Sequence, residues 1–326
     1  MRATLLSLAI AALFVPAFAG TPAAAAPTVT ADVTGGVLRV IGSDAPDVIA
    51  LRLSAADVNQ LQVDVGNDGS AEFTFDRSTF GAIDVNGRNG DDAIVIDQIN
   101  GVVTTSGSTR VDGGNGNDTL LGGSGNETFF GGNGNDFADG NAGSDTASMG
   151  RGDDVFVWDP GDGSDIIEGG PGSDTMVFNG SAGSEVMAAT AVGERVRFTR
   201  DLGNIVMDLN DVEGIDVRTL AGTDTVTVND VRGTDLERVN VDLARDLGGS
   251  TGDAASDTVT VVGTDGDDSI VADANDDAVE VSGLAASVGI THADPGTDKL
   301  ILDTRAGVDD VALDPGLAAL ILVSVI

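Results

Sequence analysis

The sequence contains neither cysteine nor tyrosine, and only one histidine, one tryptophan and one lysine (His292, Trp158 and Lys299). Without cysteine there is no disulfide and no thiolate metal site, so stability has to come from packing or from a metal held by oxygen. One histidine cannot supply the H-E-x-x-H pair of a zinc protease, and no serine stands in a G-x-S-x-G elbow. His292, in "VGITHADPG", reads as a surface residue at a strand end. Basic residues are scarce: 16 Lys and Arg stand against 53 Asp and Glu, a formal net charge of −37. A chain with so little positive charge has no basic face for phosphates, which argues against nucleic acid as a partner. "GRNGDD" and "GTDGDD" lack the G-K-[ST] of a phosphate cradle and open no helix. Long apolar runs are missing too. Leu5–Val15 and "LAALILVSVI" at 317–326 fall short of the roughly 20 residues that a membrane span needs. The second of these reads as a last buried strand.

What the chain has in excess is glycine and acid, set on a common beat. In "GGNGNDTLLGGSGNETFFGGNGNDFADG" (113–140) and the residues after it, Asp118, Glu127, Asp136, Asp145 and Asp154 fall nine residues apart. A two-residue insertion comes next, and the beat resumes at Asp165 and Asp174. Between residues 111 and 179 there are 13 acids and one base, Arg151. Six turn residues followed by three strand residues make half of a flattened coil, and two halves make a coil of about eighteen. Stacked strands lie about 4.8 Å apart, so acids one coil apart (Asp118 with Asp136, Glu127 with Asp145, Asp136 with Asp154) are neighbours. Such a ladder repels itself unless a cation sits in it. Ca²⁺ suits it, because that hard ion takes six to eight oxygens at about 2.3–2.6 Å and accepts backbone carbonyls, which glycine-rich turns leave uncovered. The apolar positions Leu120, Phe129, Ala138, Ala147, Phe156, Ile167 and Met176 then point inward. Ala138 and Ala147 leave that core thin, so folding is expected to lean on metal. A flexible Gly/Asn linker would need neither the periodic acid nor the periodic apolar residue.

The block fits G-G-x-G-x-D-x-U-x, with U a large apolar residue. "GGNGNDTLL" (113–121), "GGNGNDFAD" (131–139) and "GGPGSDTMV" (169–177) are complete; "GGSGNETFF" (122–130) has Glu for Asp. "GNAGSDTAS" (140–148) replaces its second glycine by Asn141, a residue that tolerates left-handed backbone, and "MGRGDDVFV" (149–157) loses its first. On these motifs the chain resembles the repeats-in-toxin (RTX), haemolysin-type calcium-binding family, over about 70 residues. The resemblance implies a parallel β-roll that binds several Ca²⁺ ions. The metal-site residues are then Gly113, Gly114, Gly116 and Asp118; Gly122, Gly123, Gly125 and Glu127; Gly131, Gly132, Gly134 and Asp136; Gly143 and Asp145; Gly152 and Asp154; Gly163 and Asp165; Gly172 and Asp174.

The flanks carry a longer repeat. "VIGSDAPDVIALRL" from Val40, "FNGSAGSEVMAATA" from Phe178 and "VVGTDGDDSIVADA" from Val261 share an apolar lead, a glycine and an acid five residues on (Asp47, Glu185, Asp268). About 40 residues later, Gly90, Gly222 and Gly307 each precede an acid by two residues (Asp92, Asp224, Asp309), with a strand after it. Period-two alternation in "LQVDV", "RVRFT" and "DTVTVND" and turn signals every 8 to 12 residues mark the whole chain as all-β. The expected organisation is residues 1–26 as signal peptide and short linker, 27–110 as an N-terminal β module, 111–178 as the calcium-binding roll, and 179–254 and 255–326 as second and third solenoid-like β modules. Segments 99–110 and 246–256 read as connectors. Arg2, the Leu5–Val15 run and Ala17-Phe18-Ala19 form a secretory signal pattern, which points to an extracellular or cell-surface protein. No catalytic constellation stands out. The sequence therefore reads as a secreted, calcium-folded structural or adhesive protein, with cell-surface or matrix polysaccharide as a candidate partner. An extracellular polysaccharide lyase or epimerase is the rival reading.

Overall fold

The computed structural model describes residues 28–103 and 108–326. The signal pattern of residues 1–26 therefore lies outside the described residues. The described chain is almost entirely strand and turn, with three short 3-10 turns as its helical content. Its strands form two fourteen-stranded sheets whose pairings are mostly parallel and repetitive, consistent with a solenoid- or roll-like repeat fold.

The nine-residue beat explains the central part. Ser108–Asn115, Glu127–Asn133, Thr146–Arg151 and Ile166–Glu168 neighbour one another in the first sheet; Thr119–Leu121, Phe137–Asp139, Val155–Trp158 and Thr175–Asn179 do so in the second. The chain changes sheet after each of these strands. Parallel partners are therefore one coil apart: Phe129 pairs with Val111 and Ala147, and Ala138 with Leu120 and Phe156. Beyond the insertion the spacing widens, so that Ala147 pairs with Ile167 and Phe156 with Met176. Alternate residues of each strand face inward, and all seven apolar positions of the beat are buried. They join one hydrophobic cluster that runs from Val29 to Ile321.

The insertion is taken up at residues 159–163. There the Asp162 N–H donates to the Asp159 carbonyl, and the Asp159 N–H donates back to the Asp162 carboxylate. The Trp158 indole Nε1 donates to the Gly163 carbonyl at 2.8 Å. Trp158 closes the core at this slip. Its ring stacks on Phe178 at 4.1 Å between centroids, and Phe178 in turn meets Phe198 at 4.7 Å. Phe198 belongs to the C-terminal flank, so this aromatic stack packs the repeat block against that flank.

The 40-residue repeat of the flanks also has a structural cause. Each copy opens an antiparallel three-stranded meander directly after its first acid: Val48–Leu53 with Gln60–Val65 and Phe73–Asp76; Val186–Val192 with Arg195–Arg200 and Ile205–Asn210; Ser269–Asn275 with Ala278–Ser282 and Ser287–Thr291. The extra residues of the long period are these hairpins, inserted into an otherwise parallel wind. Parallel pairing continues across both ends of the repeat block, as Ala82–Asn89 pairs with Ser108–Asn115 and Thr175–Asn179 with Gly214–Arg218.

The C-terminus corrects one expectation. Residues 317–326 do not form a single buried strand. Pro315–Ala319 is a 3-10 turn that buries Leu317 and places Ile321 in the core, and the strand is only Leu322–Val325, largely exposed. It is the edge strand of its sheet. Segment 246–256 is a connector, tied at its base by a bridge between Ala244 and Gly252. Segment 99–110 runs into the strand that starts at Ser108, and residues 104–107 lie outside the described chain.

Candidate metal centre

The acids of the beat stand in two hydrogen-bonded rows. In one, the backbone N–H of each acid donates to the carboxylate of the acid one coil on: Asp92 to Asp118 (2.8 Å), Asp118 to Asp136 (2.8 Å), Asp136 to Asp154 (2.7 Å) and Asp154 to Asp174 (2.9 Å). In the other, Glu127 donates to Asp145 (2.6 Å) and Asp145 to Asp165 (2.8 Å). Both rows are buried. Each aspartate that accepts such a bond thus spends Oδ1 on its neighbour's backbone.

The second oxygen is the unusual one. Oδ2 of Asp118, Asp136, Asp145, Asp154 and Asp174 is buried and has no hydrogen-bond partner among the described residues. The same holds outside the block for Asp92, Asp224 and Asp257. Leaving a buried acceptor unsatisfied costs about 1–3 kcal/mol, and more for a charge. The carboxyls respond as buried acids do. Burial, with smaller repulsion from like-charged neighbours and against the opposing backbone N–H bond, pushes Asp136 and Asp174 up to about 7, Asp145 to about 8 and Asp118 to about 6. Asp165 rises to about 6 for the same leading reason.

Glycine shapes the space around these oxygens. A Cβ on Gly131 would collide with both Asp136 Oδ2 and the Met149 carbonyl, and one on Gly169 would sit 2.5 Å from Asp174 Oδ2. Only hydrogen at these positions leaves carboxylate and carbonyl oxygen converging on open space. Gly132 and Gly134 (φ 117° and 127°) hold backbone conformations that side chains rarely adopt. Asn141 takes the place of such a glycine with φ 54°, as its tolerance of left-handed backbone allows.

An oxygen-only donor set of buried, unpartnered carboxylates beside backbone carbonyls fits a hard divalent cation and no softer one. Among the described residues no three acidic or histidine side chains converge on one point. The spacing explains this, because each turn contributes one carboxylate and the remaining donors are backbone.

Comparison with known families decides what the beat is. The chain carries four copies of the RTX calcium-binding nonapeptide repeat, at residues 103–138, 121–156, 161–183 and 260–282. The RTX repeat is a structural, calcium-binding motif rather than a catalytic one. No curated protein matches the chain. Among solved structures, the extracellular lipase LipA from Serratia marcescens aligns with 68% of this chain at 14% identity and a TM-score of 0.20, and this chain spans 44% of the lipase's length. That score is too low to place the two in one fold.

The acids named from sequence stand in these two rows, with two distinctions. Glu127 is not equivalent to the aspartates of the RTX turns: its carboxylate also accepts the N–H of Gly123, at 2.9 Å. Two acids that continue the ladder outside the block, Asp257 and Asp298, escape motif reading altogether. Asp224 donates to Asp257 at 2.8 Å and Asp257 to Asp298 at 2.9 Å. Their turns lack the paired glycines, and the available signal was an acid directly before an alternating strand, "SDTVTVV" and "TDKLILD". His292 lies in the turn after Ser287–Thr291 with Nδ1 2.6 Å from Asp242 Oδ1. No helix among the described residues is long and apolar enough to cross a membrane.

Proposed function

We propose that the RTX block is a calcium-folded parallel β-roll and that the chain is a secreted structural or adhesive protein. The observation that carries this reading is the row of buried, unpartnered Oδ2 atoms on Asp118, Asp136, Asp145, Asp154 and Asp174. Those carboxylates, with the carbonyls of the glycine turns, would hold Ca²⁺, which neutralises the ladder and cross-links successive coils. The chain's own part is to bring one carboxylate per turn to the same place in every coil and to keep water out with the thin core beneath. Cytosolic free Ca²⁺ is low and extracellular Ca²⁺ high, so on this reading the block stays loose until export and then folds. The signal pattern of residues 1–26 supplies the export route, and the strongly acidic composition suits a cell-surface or matrix setting. The experiment is amide hydrogen exchange on the full chain in chelator and in millimolar Ca²⁺. Residues 113–177 should exchange quickly in chelator and become protected in Ca²⁺. Equal protection in both would show that the roll folds without metal and would end the proposal.

A further inference from the structure

Two kinds of acidic turn recur among the described residues, and they differ in what happens to the second carboxylate oxygen. In the first kind the N–H four residues before the acid donates to it. Ser43 does so to Asp47 at 2.6 Å, Thr264 to Asp268 at 2.7 Å, Asp294 to Asp298 at 2.7 Å, and Gly123 to Glu127 at 2.9 Å. Glu185 takes the N–H and hydroxyl of Ser181 and is also paired with Arg200. These carboxylates are satisfied by protein. In the second kind the residue four before the acid has positive φ. That is a rotation about its own N–Cα bond, so its N–H no longer points at the carboxylate. Gly132 before Asp136 is an example inside the block.

Three turns of the second kind lie where no nonapeptide motif is matched, those ending in Asp92, Asp224 and Asp309 (Arg305 at φ 62°, Gly307 at φ 141°), and of these only Asp92 and Asp224 bury an unpartnered Oδ2. Before Asp92 the positive-φ residue is Arg88 (81°), and before Asp224 it is Leu220 (64°). Glycines two residues before the acids, Gly90 (125°) and Gly222 (148°), complete the same turn as in the block. Asp92 and Asp224 are 2% and 1% exposed, and the Oδ2 of each is without a partner. At Asp92 the free oxygen also faces a backbone carbonyl: a Cβ on Gly87 would meet both Asp92 Oδ2 and the Gly113 carbonyl. At Asp224 the Gly183 carbonyl lies on the side of Oδ1, the oxygen that accepts the Glu185 N–H. No Lys or Arg is paired with either acid among the described residues.

We propose that the turns ending in Asp92 and Asp224 are further Ca²⁺ sites, one in each flank, and that the turns ending in Asp47, Glu185 and Asp268 are not. The donors are carboxylate and carbonyl oxygen alone, which is the chemistry of a hard divalent cation. This assignment differs from the motif match, which includes Asp268 and passes over Asp92 and Asp224. It rests on the calcium reading of the block, extended by the geometry of the turns.

The test is Ca²⁺ stoichiometry of the full chain by isothermal titration, on the unmodified protein and on Asp92→Asn, Asp224→Asn, Asp268→Asn and Asp136→Asn. Asp92→Asn and Asp224→Asn should each lower the count by at least one ion, and Asp268→Asn should leave it unchanged. Hydrogen exchange on the unmodified chain needs no variant to fold. Around residues 87–92 and 219–224, exchange should slow by up to roughly a hundredfold at a hundredfold excess of Ca²⁺ over Kd. If Asp136→Asn loses ions while Asp92→Asn and Asp224→Asn do not, and those two turns gain no protection, the flank sites are refuted and the block stands. If no variant changes the count and no segment responds to Ca²⁺, the calcium reading of the block itself has failed.

Discussion

The backbone N–H of Asp118 donates to Oδ1 of Asp136, 2.8 Å away and eighteen residues on. Asp136 in turn donates to Asp154 at 2.7 Å. One residue therefore ties three coils together while its other carboxylate oxygen faces no donor. Removing it should be costlier than removing an acid at the end of the row. Asp136→Ala is expected to lose most of the Ca²⁺-induced rise in Tm from its neighbourhood, on the order of 2.7 kcal/mol per site at a hundredfold excess of Ca²⁺. Asp174→Ala should lose less. Thermal unfolding in Ca²⁺ and in chelator reads both, and equal losses would show that the coils are independent.

The pH dependence comes from the raised carboxyls. The folded values of about 6 to 8 for Asp118, Asp136, Asp145 and Asp174 stand above the ordinary 3.8. A group whose folded pKa is raised binds its proton more tightly when folded. Its contribution is complete below about pH 4 and is lost as pH rises through 6 to 8. In chelator the protein should therefore be more stable at pH 5 than at pH 8. Metal binding needs the ionised acids, so the gain in Tm from Ca²⁺ should grow over the same interval. Melting curves across this range check the sign, and a chelated protein that gains stability from pH 5 to pH 8 would overturn the account.

Gly131→Ala tests the carbonyl–carboxylate cradle. Its added methyl would strike Asp136 Oδ2 and the Met149 carbonyl, both held by the coil stack. Overpacking of this kind costs about 1–3 kcal/mol. Gly81→Ala is the control: nothing lies within 4 Å of its Cβ and its φ is not in the left-handed region, so it should change stability by less than about 0.5 kcal/mol. Urea unfolding in Ca²⁺ separates the two.

Much of this arrangement was legible in the sequence because the repeat writes the same instruction nine residues at a time. Leu120, Phe129 and Met176 could be placed inward, and Asp118, Asp136 and Asp154 in one row, from spacing alone. The acids Asp47, Glu185 and Asp268, followed about 40 residues later by Asp92, Asp224 and Asp309, were visible as an echo but not as partners. In the structure the echo is a set of backbone-to-carboxylate bonds of 2.7, 2.8 and 3.0 Å. What spacing could not tell was the fate of each second oxygen. At Asp92 and Asp224 it goes with a positive φ four residues earlier, and Arg88 and Leu220 are not glycines that would announce it. Glu127 is expected to bind more weakly than its Asp neighbours because its side chain is one methylene longer, and the Gly123 N–H bond to its carboxylate gives a second reason. Glu127→Asp should raise Ca²⁺ affinity if the shorter side chain releases that bond.

Arg88 offers the last test, because its conformation and its side chain can be separated. At φ 81° it holds a backbone that costs an L-residue about 1–2 kcal/mol. Its side chain gives little in return: it is exposed, and its ion pair with Asp44 is 3.5 Å long between two half-exposed groups, a kind worth about 0–1 kcal/mol. Arg88→Gly should therefore stabilise the chain by about 1 kcal/mol and leave the turn before Asp92 unchanged. Arg88→Ala removes the same ion pair and keeps the strain, so it should be neutral or slightly destabilising. Arg88→Pro cannot reach positive φ at all and should disturb the turn, lowering Tm and, if Asp92 binds Ca²⁺, the ion count with it. If Arg88→Gly and Arg88→Ala change stability equally, the strain at this position is not what the structure implies, and the shared turn that links the flank to the repeat block loses its support.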